Sequence, residues 1–478
     1  MKIDGAKDHR GTKDYIIKEG GRDVDISELV NKQREFFMKG TTLEYSFRLA
    51  ALQKLSAAIT EMESEIVAAL TSDLNKSGIE GFMTEIGTVQ GEIKYAIRNL
   101  SKWMKKEKVK TSLLLFPAKC YAVPEPFGVA LIMSPWNYPF MLSISPLVGA
   151  IAAGNCSVIK PSAYTPTVAG IIEKLVKRCF DEEYCAVVLG SRKENTELLE
   201  QKFDYIFFTG SMAVGRVVMA AASKHLCPVT LELGGKSPVI VDETADIDLA
   251  TKRLVFGKYM NAGQTCVAPD YVLVHKSKKT ELIDKLRHHI SHCYPKDSSG
   301  AVIDYPCIVN EKHFERLCGL MQNETVAIGG ETDRDRLSIE PTVLENVSFD
   351  APIMQEEIFG PLLPLIEYDH LDDAINEIRR RPKPLALYLF SSDKSVWQRI
   401  EKTVSFGGGC INDCLLHVSS PYLPFGGVGD SGMGRYHGKV SFDTFSHYKS
   451  IVNKSTKIDI DVRYRPYGKM KIKIIRKL

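Results

Sequence analysis

Gly128-Val-Ala-Leu-Ile-Met133, followed by the apolar run 142–153 and then by Ser157-Val-Ile159, is the stretch that decides the fold. The first segment is short, continuous and apolar, as a strand buried on both faces must be. The second has the length of a helix, and Gly154-Asn155 supplies its stop. The third is strand-like again, so the three together predict a right-handed parallel crossover. Downstream the rhythm repeats. Thr165-Pro166 offers an N-cap and a proline at the first helical position, opening a helix to about residue 179. Strands follow at 185–189, 205–208 and 229–233, with helices at 194–202 and 214–225 between them. This alternation predicts a doubly wound parallel sheet, which takes its ligands outside the carboxyl ends of its strands.

Working outward, a second and looser α/β unit begins after Gly235. Helices are expected near 246–260, 279–290, 312–322, 371–380 and 394–404, and strands near 271–275, 325–328, 342–344, 362–367, 385–390 and 410–415. On the other side, residues 26–106 read as helical, with two long helices punctuated at 75–78. Residues 1–25 read as a flexible arm, 105–110 as a solvated basic run, and 456–478 as a basic, extended tail.

Composition excludes several classes. A hydrophobic fraction of 44% with 25% charged residues is that of a soluble globular protein. A net charge of +3 over 478 residues gives no reason to expect a nucleic-acid partner. The polar N-terminus has no apolar core of a signal peptide, and no run is long enough to span a bilayer. Eleven cysteines without a spacing framework fit reduced thiols in the cytoplasm. Cys410 and Cys414 are close, but nothing completes a metal site around them, so no metal is expected.

One cysteine differs in setting. In Asn261-Ala-Gly-Gln-Thr-Cys266-Val-Ala-Pro-Asp270 the thiol lies in a turn between a helix and a strand, bracketed by Gly263 and Pro269. On the local pattern alone, a small buried hydrophobe is the favoured reading. A nucleophile needs an oxyanion donor, a base and an acceptor for what it displaces, and strand ends offer candidates. Asn137, in Ser134-Pro-Trp-Asn-Tyr-Pro139, is either an oxyanion donor or a helix cap. Glu232, at the end of an otherwise apolar strand, is either a base or half of an ion pair with Lys236. Gly210, Ser211 and Gly215 stand where a strand turns into a helix, a potential anion site. Lys160 ends another strand and singly passes for a surface lysine. Glu357 and Phe359, in Gln355-Glu-Glu-Ile-Phe-Gly-Pro361, could reach a ribose or form a solvated loop.

Ser-Pro-Trp-Asn-Tyr-Pro, Lys-Pro-Ser, Phe-Thr-Gly-Ser, Leu-Glu-Leu-Gly-Gly-Lys-Ser-Pro, Gly-Gln-Thr-Cys and Glu-Glu-Ile-Phe-Gly-Pro stand here in the order and spacing of the aldehyde dehydrogenases, which the chain resembles over roughly 26–450. The stretch 424–438 and the segment 442–447 resemble the class 3 branch, which acts on fatty and aromatic aldehydes. The resemblance implies two doubly wound α/β domains and a small β oligomerisation element. The dinucleotide-binding domain would be 26–104 with 128–231, the catalytic domain 232–416, and the bridging element 105–127 with 417–455. It implies NAD(P)-dependent oxidation of medium- to long-chain aliphatic or aromatic aldehydes to acids, with Cys266 as nucleophile, Asn137 as oxyanion donor and Glu232 activating water. Lys160 and Glu357 would contact the two riboses, Phe359 the nicotinamide end, and Gly210, Ser211 and Gly215 the pyrophosphate of NAD or NADP. A homodimer is also implied.

Two departures stand out. Many relatives have Glu three residues after the Lys of Lys-Pro-Ser, where this chain has Ala163, which points to acceptance of NADP alongside NAD. The tail at 469–478 is too short and too charged to span a membrane, leaving weak contact with an anionic surface, a solvated tail or an edge strand at a subunit contact. Two other readings compete: acyl transfer from the cysteine to coenzyme A, and a non-catalytic dinucleotide-binding protein that retains the fold.

Overall fold

The structure, a computed structural model, describes residues 25–476. The arm expected over 1–25 therefore lies outside the described residues apart from Asp25.

Val129–Met133 lies in the middle of a six-stranded sheet and is buried at every residue. Across this sheet the order runs Gly432–Met433, Val229–Glu232, Tyr205–Thr209, Val129–Met133, Cys156–Lys160, Cys185–Val187. All neighbours are parallel except the first pair. The crossover helix Pro139–Ala153 starts before the apolar pattern does, because Pro139 occupies its first turn without needing an N–H partner. Gly154, at φ +97°, ends it, and a side chain there would collide with the Arg48 guanidinium. Thr165-Pro166 opens the helix Pro166–Cys179 as the pattern predicts, although the Thr165 side chain makes no capping bond.

Segment 417–455 does more than bridge. Its Gly432 pairs with Glu232 along the sheet edge, and its helix Lys439–Thr444 packs on Pro139–Ala153 where Gly149 leaves room for Ser441 and Phe445. Its last strand, Ser446–Lys454, joins Ala118–Pro126 and Glu107–Val109 in a three-stranded antiparallel sheet. The basic run at 105–110 thus contributes an exposed strand.

The second α/β unit builds a seven-stranded sheet in the order Thr325–Ile328, Thr342–Glu345, Leu362–Tyr368, Tyr271–His275, Pro238–Val241, Ala386–Phe390, Gly408–Ile411. Its helices, Ile247–Tyr259, Lys279–Cys293, Glu311–Met321, Leu371–Arg380 and Lys394–Thr403, fall where the apolar spacing puts them.

Two expectations are revised. The N-terminal layer holds four long helices, Ile26–Met38, Tyr45–Glu61, Glu63–Leu74 and Gly87–Trp103, because the chain also breaks at Gly40 and Met62. The tail is not extended throughout: Lys469–Ile475 is helical. Among the described residues no strand pairs with it, and lysine and methionine tolerate a helix well. Alternation of lysine with isoleucine, wound at 3.6 residues per turn, scatters the charges around this helix and leaves no apolar face. Among the described residues no helix is long and apolar enough to cross a membrane.

Candidate active site

Four of the segments singled out from sequence converge on the carboxyl edge of the six-stranded sheet. Residues 134–138 leave Val129–Met133, Lys160 ends Cys156–Lys160, Gly210 and Ser211 leave Tyr205–Thr209, and Glu232 ends Val229–Glu232. Backbone bonds tie these ends together: Ser134 N–H donates to the Lys160 carbonyl at 3.1 Å, and Gly210 N–H to the Glu232 carbonyl at 3.0 Å.

The cysteine loop comes to this edge from the other unit. It leaves Ile247–Tyr259 through three successive left-handed residues, Asn261, Ala262 and Gly263, at φ +53°, +50° and +73°. For the first two this costs on the order of 1–3 kcal/mol each, so the surroundings must impose it. They do so with several bonds. Asn261 N–H donates to Glu80 Oε1 at 2.8 Å, Gln264 Nε2 donates to the carbonyls of Asn261 and Cys307, and Val309 N–H donates to Gln264 Oε1 at 3.1 Å. Gly263 packs on the Gly360 carbonyl so closely that a Cβ would collide with it.

Asn137 is buried and does not cap its helix. Its Nδ2 donates to the Gln264 carbonyl at 3.0 Å, which joins the sheet-edge turn to the cysteine loop. Tyr138 Oη and Thr265 Oγ1, 2.6 Å apart, make a second stitch. One N–H of the Asn137 amide remains for another acceptor.

Glu232 does not pair with Lys236. That lysine is bound to Asp270 Oδ2 at 2.8 Å and to the carbonyls of Ile353 and Glu356. Glu232 is 2% exposed and neither carboxylate oxygen has a hydrogen-bond partner among the described residues. Burial alone drives its pKa well above the usual carboxylate range. An unpaired buried carboxyl is costly, and such groups concentrate at functional sites.

The half-buried Cys266 lies within the fields of Glu357 and Glu232. Burial, then these two acids, push its thiol up to about 12. Glu357 is itself raised to about 8 by burial and by Asp270, and accepts a bond from Gly235 N–H. A side chain on Gly234 would strike the Glu357 carboxyl, so the glycine pair after Glu232 admits Glu357 to the site. Phe359, at φ +50°, sets its ring edge-on to Trp136 at 5.3 Å between centroids.

Lys160 is no surface lysine. It is buried, donates to the carbonyls of Pro161 at 2.9 Å and Gly190 at 2.7 Å, and burial lowers its pKa to about 8. Ser211 caps the helix Met212–Ser223 by accepting from Val214 N–H, leaving the start of that helix open to an anion. Gly215 lies directly beneath Leu233, where any side chain would clash, so the helix sits close against the strand.

Sequence reasoning missed four charged residues near this site. Lys76 and Glu85, both buried, and half-buried Glu80 come from the N-terminal helical layer and lie against the Asn137 turn and the cysteine loop. Lys258 is likewise buried, at about 8 through desolvation, close to Asp270, Lys236 and Glu357. In sequence each looks like an ordinary helix-surface charge. Among the described residues no cluster of histidine, cysteine or acids suits a metal ion.

This arrangement joins a doubly wound sheet edge, a glycine-spaced helix start and a cysteine loop in one cleft. Residues 12–451 match the model of the aldehyde dehydrogenase family, and the chain belongs to that family of oxidoreductases. It is 52% identical to the 4,4'-diaponeurosporen-aldehyde dehydrogenase of Staphylococcus aureus over 93% of this chain and 98% of that one. It is 46% identical to aldehyde dehydrogenase family 3 member H1 of Arabidopsis thaliana over 95% of each. Among solved structures, the substrate-bound state of Staphylococcus aureus AldH superposes with a TM-score of 0.92 at 51% identity, covering 95% of this chain and 99% of that one. A Mycobacterium tuberculosis aldehyde dehydrogenase complexed with NAD+ superposes with a TM-score of 0.81 at 27% identity, covering 91% of each. The chain is accordingly an aldehyde dehydrogenase that oxidises aldehydes, as the class 3 resemblance of its motifs implies.

Proposed function

We propose that this enzyme oxidises apolar aldehydes, medium- to long-chain aliphatic or aromatic, to carboxylic acids through a covalent adduct on Cys266. The observation that carries the reading is the convergence on one cleft of a thiol, an unpaired buried carboxyl and an amide tied to the thiol's own loop. The Cys266 thiolate adds to the carbonyl carbon. The free Asn137 N–H and the Cys266 backbone N–H donate to the resulting oxyanion. A nicotinamide dinucleotide held at this sheet edge would, when bound, accept the hydride that leaves the Cys266 adduct as it becomes a thioester. Glu232 takes a proton from water, which attacks the thioester and releases the acid and the thiolate.

The residues fit such a cofactor. An open helix start suits a pyrophosphate, Gly215 lets that helix lie close against Leu233 at the strand end, and Lys160 and Glu357 border the same edge. The NAD+ complex of the mycobacterial relative supports the same choice. Exposed Ala163 puts no acid at that position, so Glu194 is the acid whose charge acts on Lys160, which favours NADP alongside NAD. The 52% identical relative, named for a carotenoid aldehyde, supports extending the substrate range to long apolar aldehydes of that kind.

The remaining expectations belong to the same reading. Residues 26–104 and 128–231 form the dinucleotide-binding part, 232–416 the catalytic part, and the sheet of 105–127 with 417–455 a dimer contact. All eleven cysteines are free, which fits a reducing cytoplasm.

An assay of NAD and NADP reduction across aldehydes of graded chain length, with and without coenzyme A, tests the whole reading. Turnover should rise with chain length, need no coenzyme A and vanish in Cys266→Ala. Unchanged turnover in that variant would overturn it.

A further inference from the structure

The N-terminal helical layer sends one ammonium into the heart of this site. Lys76 follows Asn75, whose left-handed conformation at φ +53° ends the helix Glu63–Leu74 and turns the next side chain inward. The side chain is wholly buried. Its Nζ donates to Glu85 Oε1 at 2.6 Å and to the backbone carbonyl of Asn137 at 2.9 Å, and stands 4.1 Å from the centroid of the Tyr138 ring. Glu85, also wholly buried, lies in a single π-helical turn, Phe82–Ile86. Its other oxygen accepts the N–H groups of Phe140 and Met141 at 2.9 and 3.0 Å, in the first turn of Pro139–Ala153. Asn261 Nδ2 also donates to the Asn137 carbonyl, at 2.9 Å, so both lone pairs of that oxygen are engaged.

The five residues from Asn137 to Met141 are thus gripped by one buried ion pair, which holds the carbonyl of the first and the amides of the last two. Such a pair gives little net stability, since a well-packed apolar replacement often serves as well. What it does supply is direction. It fixes the peptide after Asn137, and with it the line along which the Asn137 amide points. Near-attack geometry is sensitive at this scale, where a misplacement of about 1 Å can cost a factor of roughly 100.

We infer that Lys76, paired with Glu85, is a positioning residue for the oxyanion hole: it acts on the reaction through Asn137 by holding the Asn137 carbonyl. This rests on the proposed role of Asn137 and deepens it.

A double-mutant cycle on the full chain tests it. Lys76→Met is made with Glu85→Gln, so that no lone charge is left buried, in the wild type and in Asn137→Ala. In the wild type the pair should lower kcat by about tenfold to a hundredfold with KM within about threefold, and lower it less than about twofold once Asn137 is gone. Lys76→Gln, which keeps one donor, should recover part of the loss. Asn261→Gly gives a second reading: it keeps the left-handed backbone and deletes the second donor to the same carbonyl, together with that donor's 3.1 Å bond to the Gln264 carbonyl, which Asn137 also holds. It should show the same loss of effect in Asn137→Ala. Losses that simply multiply in both cycles would overturn the inference while leaving Asn137 as donor. An Asn137→Ala enzyme with unaltered kcat would instead overturn the reading of Asn137 itself.

Discussion

Asn137 donates its side-chain amide to the carbonyl of Gln264, two residues before Cys266, at 3.0 Å across 127 positions of sequence. The contact ties the loop of the proposed oxyanion donor to the loop of the proposed nucleophile. With one N–H so engaged, the other is free to face the oxyanion. Asn137→Ala should therefore lower kcat by roughly 100- to 1,000-fold, the usual effect of deleting one oxyanion donor. Because the lost interaction belongs to the transition state, KM should stay within a few-fold. Steady-state kinetics with a single aldehyde checks this, and a change confined to KM would show that Asn137 binds substrate instead.

Glu232 should reveal itself in the second half of the reaction. Its carboxyl has no partner to lose, so Glu232→Gln removes basicity without breaking a structural bond. The acyl-enzyme should then form at a near-normal rate and persist. A stopped-flow trace should show a burst of reduced cofactor approaching one equivalent per site, followed by turnover slowed about 100-fold or more. Absence of the burst, with the first phase slowed as well, would place Glu232 in proton removal from Cys266.

Burial and two acids push the Cys266 thiol up. At about 12, only about one molecule in ten thousand carries the thiolate at pH 8. Glu357 is the larger of the two charges that raise it, and Glu357 gains its own charge near pH 8. Removing a negative neighbour favours the thiolate, so Glu357→Gln should lower the Cys266 pKa. Below pH 8 the two proteins carry the same charge there and should alkylate alike. Above pH 8 the variant should react faster at Cys266, on the order of tenfold for a shift of one unit. Iodoacetamide labelling between pH 7 and 10.5, read at the Cys266 peptide by mass spectrometry, checks the divergence. Coincident profiles would remove Glu357 from the electrostatics of the site.

The α/β rhythm and most element positions were legible because parallel strands covered on both faces must be continuous apolar runs. The placement of Asn137, Glu232 and Lys160 at the carboxyl edge of the sheet was legible because each ends or follows an apolar strand. The tail was misread because a period of two says nothing when no strand is available to pair. Lys76 and Glu85 could not be found that way. Their importance comes from burial against residues more than fifty positions away, and a lysine after a helix carries no mark of where its side chain turns. The ion pair of Glu232 with Lys236, an open alternative in sequence, failed because Asp270, far downstream, claims the lysine.

On the proposed reading, cofactor choice turns on the exposed position 163 beside Lys160. The Lys160 ammonium is held between two carbonyls, and burial leaves it near 8, so it is a cation at neutral pH that is lost as pH rises. A 2′-phosphate arriving there would favour the protonated form, and no acid at position 163 opposes it. NADP binding should consequently weaken as pH climbs through about 8, while NAD, with neutral ribose hydroxyls, should respond less. Ala163→Glu reverses the balance. The new carboxylate repels the phosphate, accepts hydrogen bonds from the ribose hydroxyls and raises the Lys160 pKa. The ratio of kcat/KM for NADP over NAD should fall at least tenfold, and the Kd of NADP measured by fluorescence quenching should rise in step. A ratio that stays constant in Ala163→Glu would mean that the 2′ position of the cofactor lies away from Lys160, and that the missing acid has no bearing on which dinucleotide is used.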